Sequence, residues 1–271
     1  AMIQAISDNR SGYTPTAGLI QLREAVSEFL RPKIGYEAKP ENIIVSTGVA
    51  SILFLLFQTV IGKGDAVLLI DPYFMIYPAL IKYHEGRQYT IPEHFGKAEV
   101  DVLREQLKRD GVKLKLIMFA SPSNPTGKIL KRDQLQLLSD IAAENDAIIA
   151  SDEIYAAMDY EKTHVSMASV DAERTVTLNG FSKSHAMTGL RVGYLAAPER
   201  FAPVVQKMVT LQQYTMVCSP HVMQWAAITA LKTPIEAELA LMKKRRDLVY
   251  GILSKLTKWP SPDGAFYVFP S

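Results

Sequence analysis

A lysine between two serines follows an apolar run late in the sequence. The run TVTLNGF covers residues 175–181, and Ser182, Lys183 and Ser184 come directly after it. A lysine at the end of a strand is a candidate amine nucleophile. Arg191 follows in the same segment and could neutralise a phosphate, because guanidinium groups pair with phosphate oxygens. This segment therefore combines a candidate nucleophile with a candidate anion site.

An acidic residue stands at the end of another apolar run. Residues 147–151, AIIAS, are followed by Asp152, and Tyr155 comes shortly afterwards. If the run is a buried strand, Asp152 lies at its tip, where a carboxyl group is unusual without a partner. We therefore expect Asp152 to be a functional acid.

Small residues mark a possible phosphate site near the start of the chain. Thr47, Gly48 and Val49 follow the apolar residues 43–45 and precede a long apolar helical pattern. Free backbone N–H groups and the helix dipole at such a helix start favour a phosphate. Small residues are also common structural caps, so this motif alone leaves both interpretations open.

Two further strand ends carry candidate ligand contacts. Phe74 follows AVLLI, residues 66–70, and its ring could either stack on a ligand or pack in the core. Asn124 lies in SPSNPTG, where Pro125 restricts it to an extended or turn conformation. A simple Pro/Gly turn would explain this second motif equally well.

These positions depend on a regular alternation of strands and helices. Short apolar runs are expected to be buried strands, and the segments between them have helical spacing. The expected strands are 43–45, 66–70, 88–92, 114–120, 147–151, 175–181, 189–197 and a last one in GAFYVFP; the expected helices include 73–85, 101–110, 131–144 and most of 198–257. This alternation predicts an α/β fold with a mostly parallel sheet, in which ligands bind beyond the carboxyl ends of the strands.

The composition excludes several classes of partner. Of 271 residues, 30 are Lys or Arg and 28 are Asp or Glu, so the net charge of +2 provides no basic field and we expect no nucleic-acid partner. The uncharged run 43–62 contains small polar turn residues, so we expect strand, turn and helix rather than a membrane span. One cysteine, Cys218, cannot form an intramolecular disulfide and indicates a cytoplasmic location. The histidines lack metal-ligand spacing, so no metal site is expected.

Four segments resemble motifs of one enzyme family. The run GFSKSHAMTGLRVG at 180–193 resembles the pyridoxal-phosphate attachment signature of class I and II aminotransferases, the fold-type I group that includes the aspartate aminotransferases. The segments at 13–26 (YTPTAGLIQLREAV), 123–127 (SNPTG) and 151–155 (SDEIY) occur in the family's order. The resemblance spans nearly the whole chain and implies the three-layer α/β sandwich of the large, cofactor-binding domain of these enzymes.

The resemblance also implies a division into domains. Residues 1–40 would form an N-terminal arm and first helix, 41–257 the pyridoxal-phosphate-binding large domain, and 258–271 the start of a truncated C-terminal small domain. The family's N-terminal segment and its arginine for the substrate carboxylate would then lie outside this sequence. We therefore expect a fragment that binds cofactor and turns over substrate poorly or not at all.

The resemblance assigns roles to five residues around the cofactor ring. Lys183 would form the Schiff base with the cofactor aldehyde, and later move the proton between the substrate Cα and the cofactor C4′. Asp152 would pair with the pyridine nitrogen, and Tyr155 and Asn124 would hydrogen-bond the phenolic oxygen. Phe74 would stack on the ring. The Asn124–Pro125 peptide bond is expected to be cis, because a cis turn in the family aims the asparagine at the ring oxygen.

The remaining expected contacts hold the cofactor phosphate. They are Ser182, Arg191 and the helix start at Thr47, Gly48 and Val49, all within one subunit. Tyr13 would reach the phosphate of the neighbouring subunit, which makes the expected assembly a homodimer with active sites at the subunit interface.

The implied function is transfer of an amino group from an L-amino acid to a 2-oxo acid, with pyridoxal 5′-phosphate as cofactor. Two alternatives stay open at the level of sequence. A lyase or synthase on the same scaffold would share every cofactor contact. A non-catalytic ligand-sensing domain of a transcription regulator would need a DNA-binding segment elsewhere in its chain.

Overall fold

One sheet forms the centre of the molecule. The computed structural model describes residues 1–35, 37–257 and 259–270; Lys258 and Ser271, which belong to the expected segment 258–271, lie outside the described residues. The strands are β1 (Ile43–Ser46), β2 (Ala66–Asp71), β3 (Arg87–Pro92), β4 (Leu114–Ala120), β5 (Ile148–Asp152), β6 (Thr175–Gly180) and β7 (Gly193–Ala196). Within the described residues they pair in the order β1-β7-β6-β5-β4-β2-β3.

The strand directions bring the expected site residues to one edge. Strands β2 to β6 pair in parallel, and β7 is antiparallel to both β1 and β6. Because β7 alone is reversed among these strands, β1 runs in the same direction as β6. The carboxyl ends of β1, β2, β4, β5 and β6 therefore share an edge. This confirms the predicted α/β fold with a mostly parallel sheet.

Helices cover both faces of the sheet. The helices of the described residues, not all of which contact the sheet, are α1 (Met2–Ser7), α2 (Ile20–Leu30), α3 (Val49–Val60), α4 (Ile76–Tyr83), α5 (Lys97–Asp110), α6 (Arg132–Asn145), α7 (Ala202–Thr215), α8 (His221–Ala230) and α9 (Glu236–Leu253). Val67 and Leu69 of β2 pack with α3, α4 and α7, whereas Leu68 and Ile70 pack with α5 and α6. Alternate side chains of one strand thus belong to two apolar cores on opposite faces of the sheet. Burying each such side chain contributes about 1.5–3 kcal/mol to the free energy of folding.

The helical region expected from residue 198 to 257 consists of several separate helices. Glu199–Phe201 form a 3-10 turn, α7 ends at Thr215, and α8 begins directly after Pro220. The next break contains Pro234 and precedes α9. Proline lacks a backbone N–H and disfavours helical geometry in the residue before it. The region is mostly helical, as the sequence predicted, and the prolines mark the breaks between its helices.

The last expected strand, GAFYVFP, is absent from the described residues 259–270. Gly264 forms an isolated antiparallel bridge with Asp159, and no strand is assigned in the remainder of that described segment. Phe266, Val268 and Phe269 are exposed. A segment with alternating apolar residues forms a strand only where a partner strand pairs with its backbone N–H and C=O groups. Among the described residues this segment has no such partner, and it forms a loop.

Smaller differences concern the boundaries of elements. The helix expected at 73–85 is α4, Ile76–Tyr83, and the strand expected at 189–197 begins only at Gly193. The helix expected at 101–110 begins earlier, at Lys97, because Glu99 accepts a hydrogen bond from the Gly96 backbone N–H and caps its first turn. In the described part of the chain, no helix is both long and apolar enough to span a membrane.

Candidate active site

A cavity of about 220 Å³ lies at the carboxyl edge of the sheet. Its lining includes eight residues that the sequence predicted: Val49, Phe74, Asn124, Asp152, Tyr155, Ser182, Lys183 and Arg191. They come from loops and element ends that are far apart in the chain. The parallel strands bring them together, because each strand presents its carboxyl end to the same space.

The sheet order fixes the order of the groups along the cavity. Val49 starts α3 after β1, and Arg191 precedes β7, which is the neighbour of β1. Lys183 follows β6, Asp152 ends β5, and Asn124 follows β4. Along the cavity, Arg191 and the start of α3 come first, then the Lys183 amine, the Asp152 carboxyl and the Asn124 amide.

Asp152 is buried and hydrogen-bonded. The Tyr77 hydroxyl donates to its Oδ2 at 3.0 Å, and the Ile154 backbone N–H donates to its Oδ1 at 3.1 Å. Burial raises the pKa of Asp152 to about 6, although these two donors and the positive charge of Lys183 favour the ionised form. The carboxyl group is therefore ionised at neutral pH and can pair with a positively charged group.

Tyr77 is a site residue that the sequence analysis missed. Its side chain is 1% exposed and lines the cavity on α4. Burial and the neighbouring Asp152 carboxylate raise the pKa of Tyr77 well above its usual value, so its hydroxyl keeps the proton that it donates. The available signal was its position, one helical turn after Phe74, whose ring packs edge-on against it at 5.7 Å between centroids.

Tyr155 lies at the meeting point of two loops. Its hydroxyl oxygen is 2.5 Å from that of Tyr267, a second lining residue that the sequence analysis missed. Burial raises the pKa of the Tyr155 hydroxyl and Tyr267 raises it further, whereas a hydrogen bond with Asn124 lowers it. The Asn124–Pro125 bond is cis, which confirms the prediction.

The start of α3 and Arg191 form a positively charged corner. Arg191 donates from Nη2 to the Thr47 carbonyl at 3.0 Å and from Nη1 to the Thr188 carbonyl at 2.6 Å. Gly48 caps α3 with φ of +92°, and a Cβ there would lie 2.5 Å from Arg191 Nη2. The first N–H groups of a helix lack intrahelical acceptors, and those of Val49 and its successor belong to residues that line the cavity.

The reactive groups beside this corner are half-buried. Lys183 and Ser182 are both partly exposed, and Lys183 Nζ lies 5.9 Å from the centroid of the Tyr155 ring. Phe74 is 36% exposed and lines the same cavity. These side chains are partly buried in the protein and partly accessible to a ligand in the cavity.

Thr47, Gly48 and Tyr13, which were also predicted as site residues, are not among the residues that line the cavity. Thr47 and Gly48 lie beside the cavity through their contacts with Arg191. The Tyr13 side chain is 86% exposed on the surface of its own chain. The prediction that Tyr13 serves a neighbouring subunit therefore stays a prediction.

The donor set fits a phosphorylated pyridine aldehyde. The guanidinium of Arg191 and the helix start at Val49 suit a phosphate, and Lys183 provides the amine that reacts with an aldehyde. The buried Asp152 carboxyl needs a cationic partner, which a protonated ring nitrogen supplies. A Cβ at Gly48 would lie 2.5 Å from Arg191 Nη2, so a side chain there would displace the guanidinium from this corner.

The fold and this cavity together define an α/β enzyme that binds a phosphorylated cofactor at the carboxyl edge of its sheet. The chain belongs to the class I and II aminotransferases, whose family model matches residues 1–271. Pyridoxal 5′-phosphate is the cofactor of this family. The chain is therefore a fold-type I aminotransferase, and the comparisons do not favour the lyase or ligand-sensing alternatives.

Individual relatives agree with the family. A protein of Methanocaldococcus jannaschii named probable aspartate aminotransferase is 35% identical over 275 residues, which cover 98% of this chain and 72% of that protein. The solved aspartate aminotransferase of Thermotoga maritima is similar with a TM-score of 0.88 at 29% identity, covering 98% of this chain and 71% of that one. An aromatic aminotransferase of Pyrococcus horikoshii is similar with a TM-score of 0.86 at 34% identity, covering 99% and 74%.

Proposed function

We propose that this cavity transfers an amino group from an L-amino acid to a 2-oxo acid, with Lys183 as the residue that holds the cofactor. The observation that carries the proposal is the convergence of Lys183, Asp152 and Arg191 on one cavity from three different segments. Each side chain suits one part of pyridoxal phosphate: the aldehyde, the ring nitrogen and the phosphate. Val49, Thr47, Gly48 and Ser182 would complete the phosphate site.

The chain's own residues would then orient and move protons. When bound, the pyridoxal ring supplies the electron sink for the reaction at the substrate Cα. Asp152, ionised at neutral pH, keeps a proton on the ring nitrogen, and Phe74 covers a ring face. Asn124 and Tyr155 hydrogen-bond the phenolic oxygen. The Lys183 amine would serve as the base that moves a proton between the substrate Cα and the cofactor C4′.

The test is to locate the attached cofactor. Borohydride reduction of the loaded protein, followed by peptide mapping, should place the pyridoxyl group on Lys183. Lys183→Ala should abolish the visible absorbance of the lysine-bound cofactor, whereas Lys162→Ala, a change at an exposed lysine, should keep it. A label on another lysine would contradict the assignment.

The substrate is proposed from the relatives' names. Several relatives are named aspartate aminotransferases, so we propose aspartate as the amino donor, and the Pyrococcus horikoshii relative makes an aromatic amino acid the second donor to assay. Product analysis with full-length protein should find a 2-oxo acid and the amine form of the cofactor. Pyruvate and ammonia from one substrate would instead identify a lyase.

We further propose a homodimer in which Tyr13 binds the phosphate in the partner's site. The support is that Tyr13 is exposed, while the adjacent Thr14 is buried and accepts a hydrogen bond from Gln224 Nε2 at 3.1 Å. A firmly held segment that presents one exposed aromatic residue is suited to an isologous contact. In a mixed dimer of Tyr13→Phe and Lys183→Ala chains, one site should be normal if Tyr13 acts across the interface.

The domain division and the location are also proposals. The sheet lies between residues 43 and 196, which supports a large domain at 41–257. The proposed arm and first helix at 1–40 contain α2, which packs against β1 and β7. Limited proteolysis should cut near 40 and 258 before it cuts the sheet. A cytoplasmic location is supported by the single cysteine and would be tested by fractionation of cells.

A further inference from the structure

Two tyrosine hydroxyls meet at the wall of the cavity. The oxygens of Tyr155 and Tyr267 are 2.5 Å apart, and their rings pack edge-on with 5.5 Å between centroids. Either hydroxyl can be the donor in this pair. Both residues line the cavity beside Lys183 and Asn124. Tyr267 is thus part of the site, although the proposed cofactor contacts above do not use it.

The backbone that carries Tyr267 is fixed on two sides. The Gly264 N–H donates to the Gly127 carbonyl at 2.8 Å, in the loop that also carries Asn124. The Ala265 N–H donates to the Met158 carbonyl at 3.0 Å, in the loop that follows Tyr155. Tyr267 is therefore anchored to both segments whose side chains are proposed to contact the phenolic oxygen.

Close packing makes this anchoring rigid. Gly127 has φ of +71°, and a Cβ at this position would lie 2.6 Å from the Gly264 carbonyl oxygen. The Lys128 Nζ donates to the Ser261 carbonyl at 2.8 Å and pairs with Asp263 Oδ1 at 3.2 Å. A side chain that branches from such a segment loses little further freedom when it forms a hydrogen bond, so its donor geometry is preorganised.

Proton counting sets the direction of the hydrogen bond once cofactor is bound. A phenol has a single proton to donate. If Tyr155 donates its proton to the phenolic oxygen of the cofactor, it can only accept from Tyr267. The result is a chain from Tyr267 to Tyr155 to the cofactor, in which each bond polarises the next.

The surroundings favour a chain of neutral donors. The groups that face Tyr155 are the hydroxyls of Tyr77 and Tyr267, the Asp152 carboxyl, the Lys183 amine and the Asn124 side chain, which is hydrogen-bonded to Tyr155. The Asp152 charge and burial both raise the pKa of Tyr155, so the hydroxyl keeps its proton. A neutral Tyr155 hydroxyl has one proton to donate, and its strength as a donor depends on the group that donates to its oxygen.

We propose that Tyr267 is a positioning residue whose hydroxyl donates to the Tyr155 oxygen and directs the Tyr155 proton onto the phenolic oxygen of the bound cofactor. The proposal rests on the proposed function, because it needs Tyr155 to contact that oxygen. It adds a second tyrosine, from the end of the described chain, to the control of the cofactor's proton affinity.

The test is a double-mutant cycle on the loaded full-length protein without substrate. The readout is the pH midpoint at which the visible absorbance of the lysine-bound cofactor changes. A donor to the phenolic oxygen stabilises its negative charge, so Tyr155→Phe should raise this midpoint. Tyr267→Phe should raise it by a smaller amount, about half a pH unit. In the Tyr155→Phe background, the change at Tyr267 should add nothing.

A matched control separates this effect from a general loss of a hydroxyl. Tyr214 is 80% exposed, and Tyr214→Phe should leave the midpoint unchanged. If Tyr155→Phe raises the midpoint and Tyr267→Phe does not, the positioning role is wrong and the proposed function stands. A full Tyr267 effect in the Tyr155→Phe background would also overturn it. If Tyr155→Phe itself has no effect, both the contact to the phenolic oxygen and the positioning role fail.

Discussion

The Tyr77 hydroxyl donates a 3.0 Å hydrogen bond to Asp152 Oδ2, and both side chains are buried. Tyr77 lies on α4, the helix that follows β2, whereas Asp152 is the last residue of β5. The bond holds one carboxylate oxygen in place, and the Ile154 N–H holds the other. The protein therefore orients this carboxyl group before any ligand binds. Burial disfavours its ionised form, and this raises the pKa of Asp152.

Asp152 should make the unliganded protein less stable as the pH rises. Its pKa is about 6 in the fold, against an unfolded value near 3.8, so the native state binds the extra proton between these pH values. Its contribution to the free energy of unfolding is fully present below about pH 4 and falls by about 3 kcal/mol as the pH rises through 6 to about 7. Urea unfolding of Asp152→Asn across this range should lack that fall. Parallel pH curves for the two proteins would refute the raised pKa.

Tyr77→Phe should move the same transition to higher pH. The substitution keeps the ring packing but removes the donor that stabilises the ionised carboxylate, so the pKa of Asp152 should rise by about one pH unit. The window over which stability falls should extend upward accordingly. Tyr83→Phe, at a largely exposed position on the same helix, is the control and should change nothing.

Gly48→Ala should weaken both the fold and the binding of phosphate. The residue has φ of +92°, which costs a non-glycine residue about 1–3 kcal/mol, and the new Cβ would displace Arg191 Nη2. Gly64→Ala is the matched control, because Gly64 has φ of +85° and open space around it. Both variants should lose stability, and only Gly48→Ala should raise the dissociation constant for pyridoxal phosphate. Equal affinity in the two variants would remove Gly48 from the phosphate site.

Gln224→Ala should destabilise the segment next to Tyr13. The Gln224 amide is fully buried, accepts from the Leu19 N–H at 2.7 Å and donates to the Ser219 carbonyl at 2.9 Å. Truncation leaves these buried backbone groups unpaired, so the free energy of unfolding should fall by about 3 kcal/mol. Gln136→Ala, at an exposed site on α6, should change it by less than about 0.5 kcal/mol. A loss below 1 kcal/mol at Gln224 would show that water replaces the amide.

The sequence alone was sufficient for the architecture and for most of the cavity. Apolar runs separated by helical patterns predicted β1 to β7, because buried parallel strands are apolar on both faces, but the last expected strand, GAFYVFP, was wrong. Polar residues placed directly after those runs, such as Asp152 and Lys183, could be predicted to converge, because parallel strands share one edge. The cis Asn124–Pro125 bond followed from the resemblance of its motif and is confirmed.

Only the tertiary structure decided which distant side chains touch. Tyr267 is 112 residues from Tyr155 in sequence, and its segment had been predicted to be a strand. Its backbone is held by hydrogen bonds from Gly264 to the Gly127 carbonyl and from Ala265 to the Met158 carbonyl, not by a partner strand. Tyr77 was likewise hidden in an ordinary helical pattern. Local sequence determines periodicity and turn chemistry, whereas contacts across the sheet depend on how whole elements pack, which no single segment encodes.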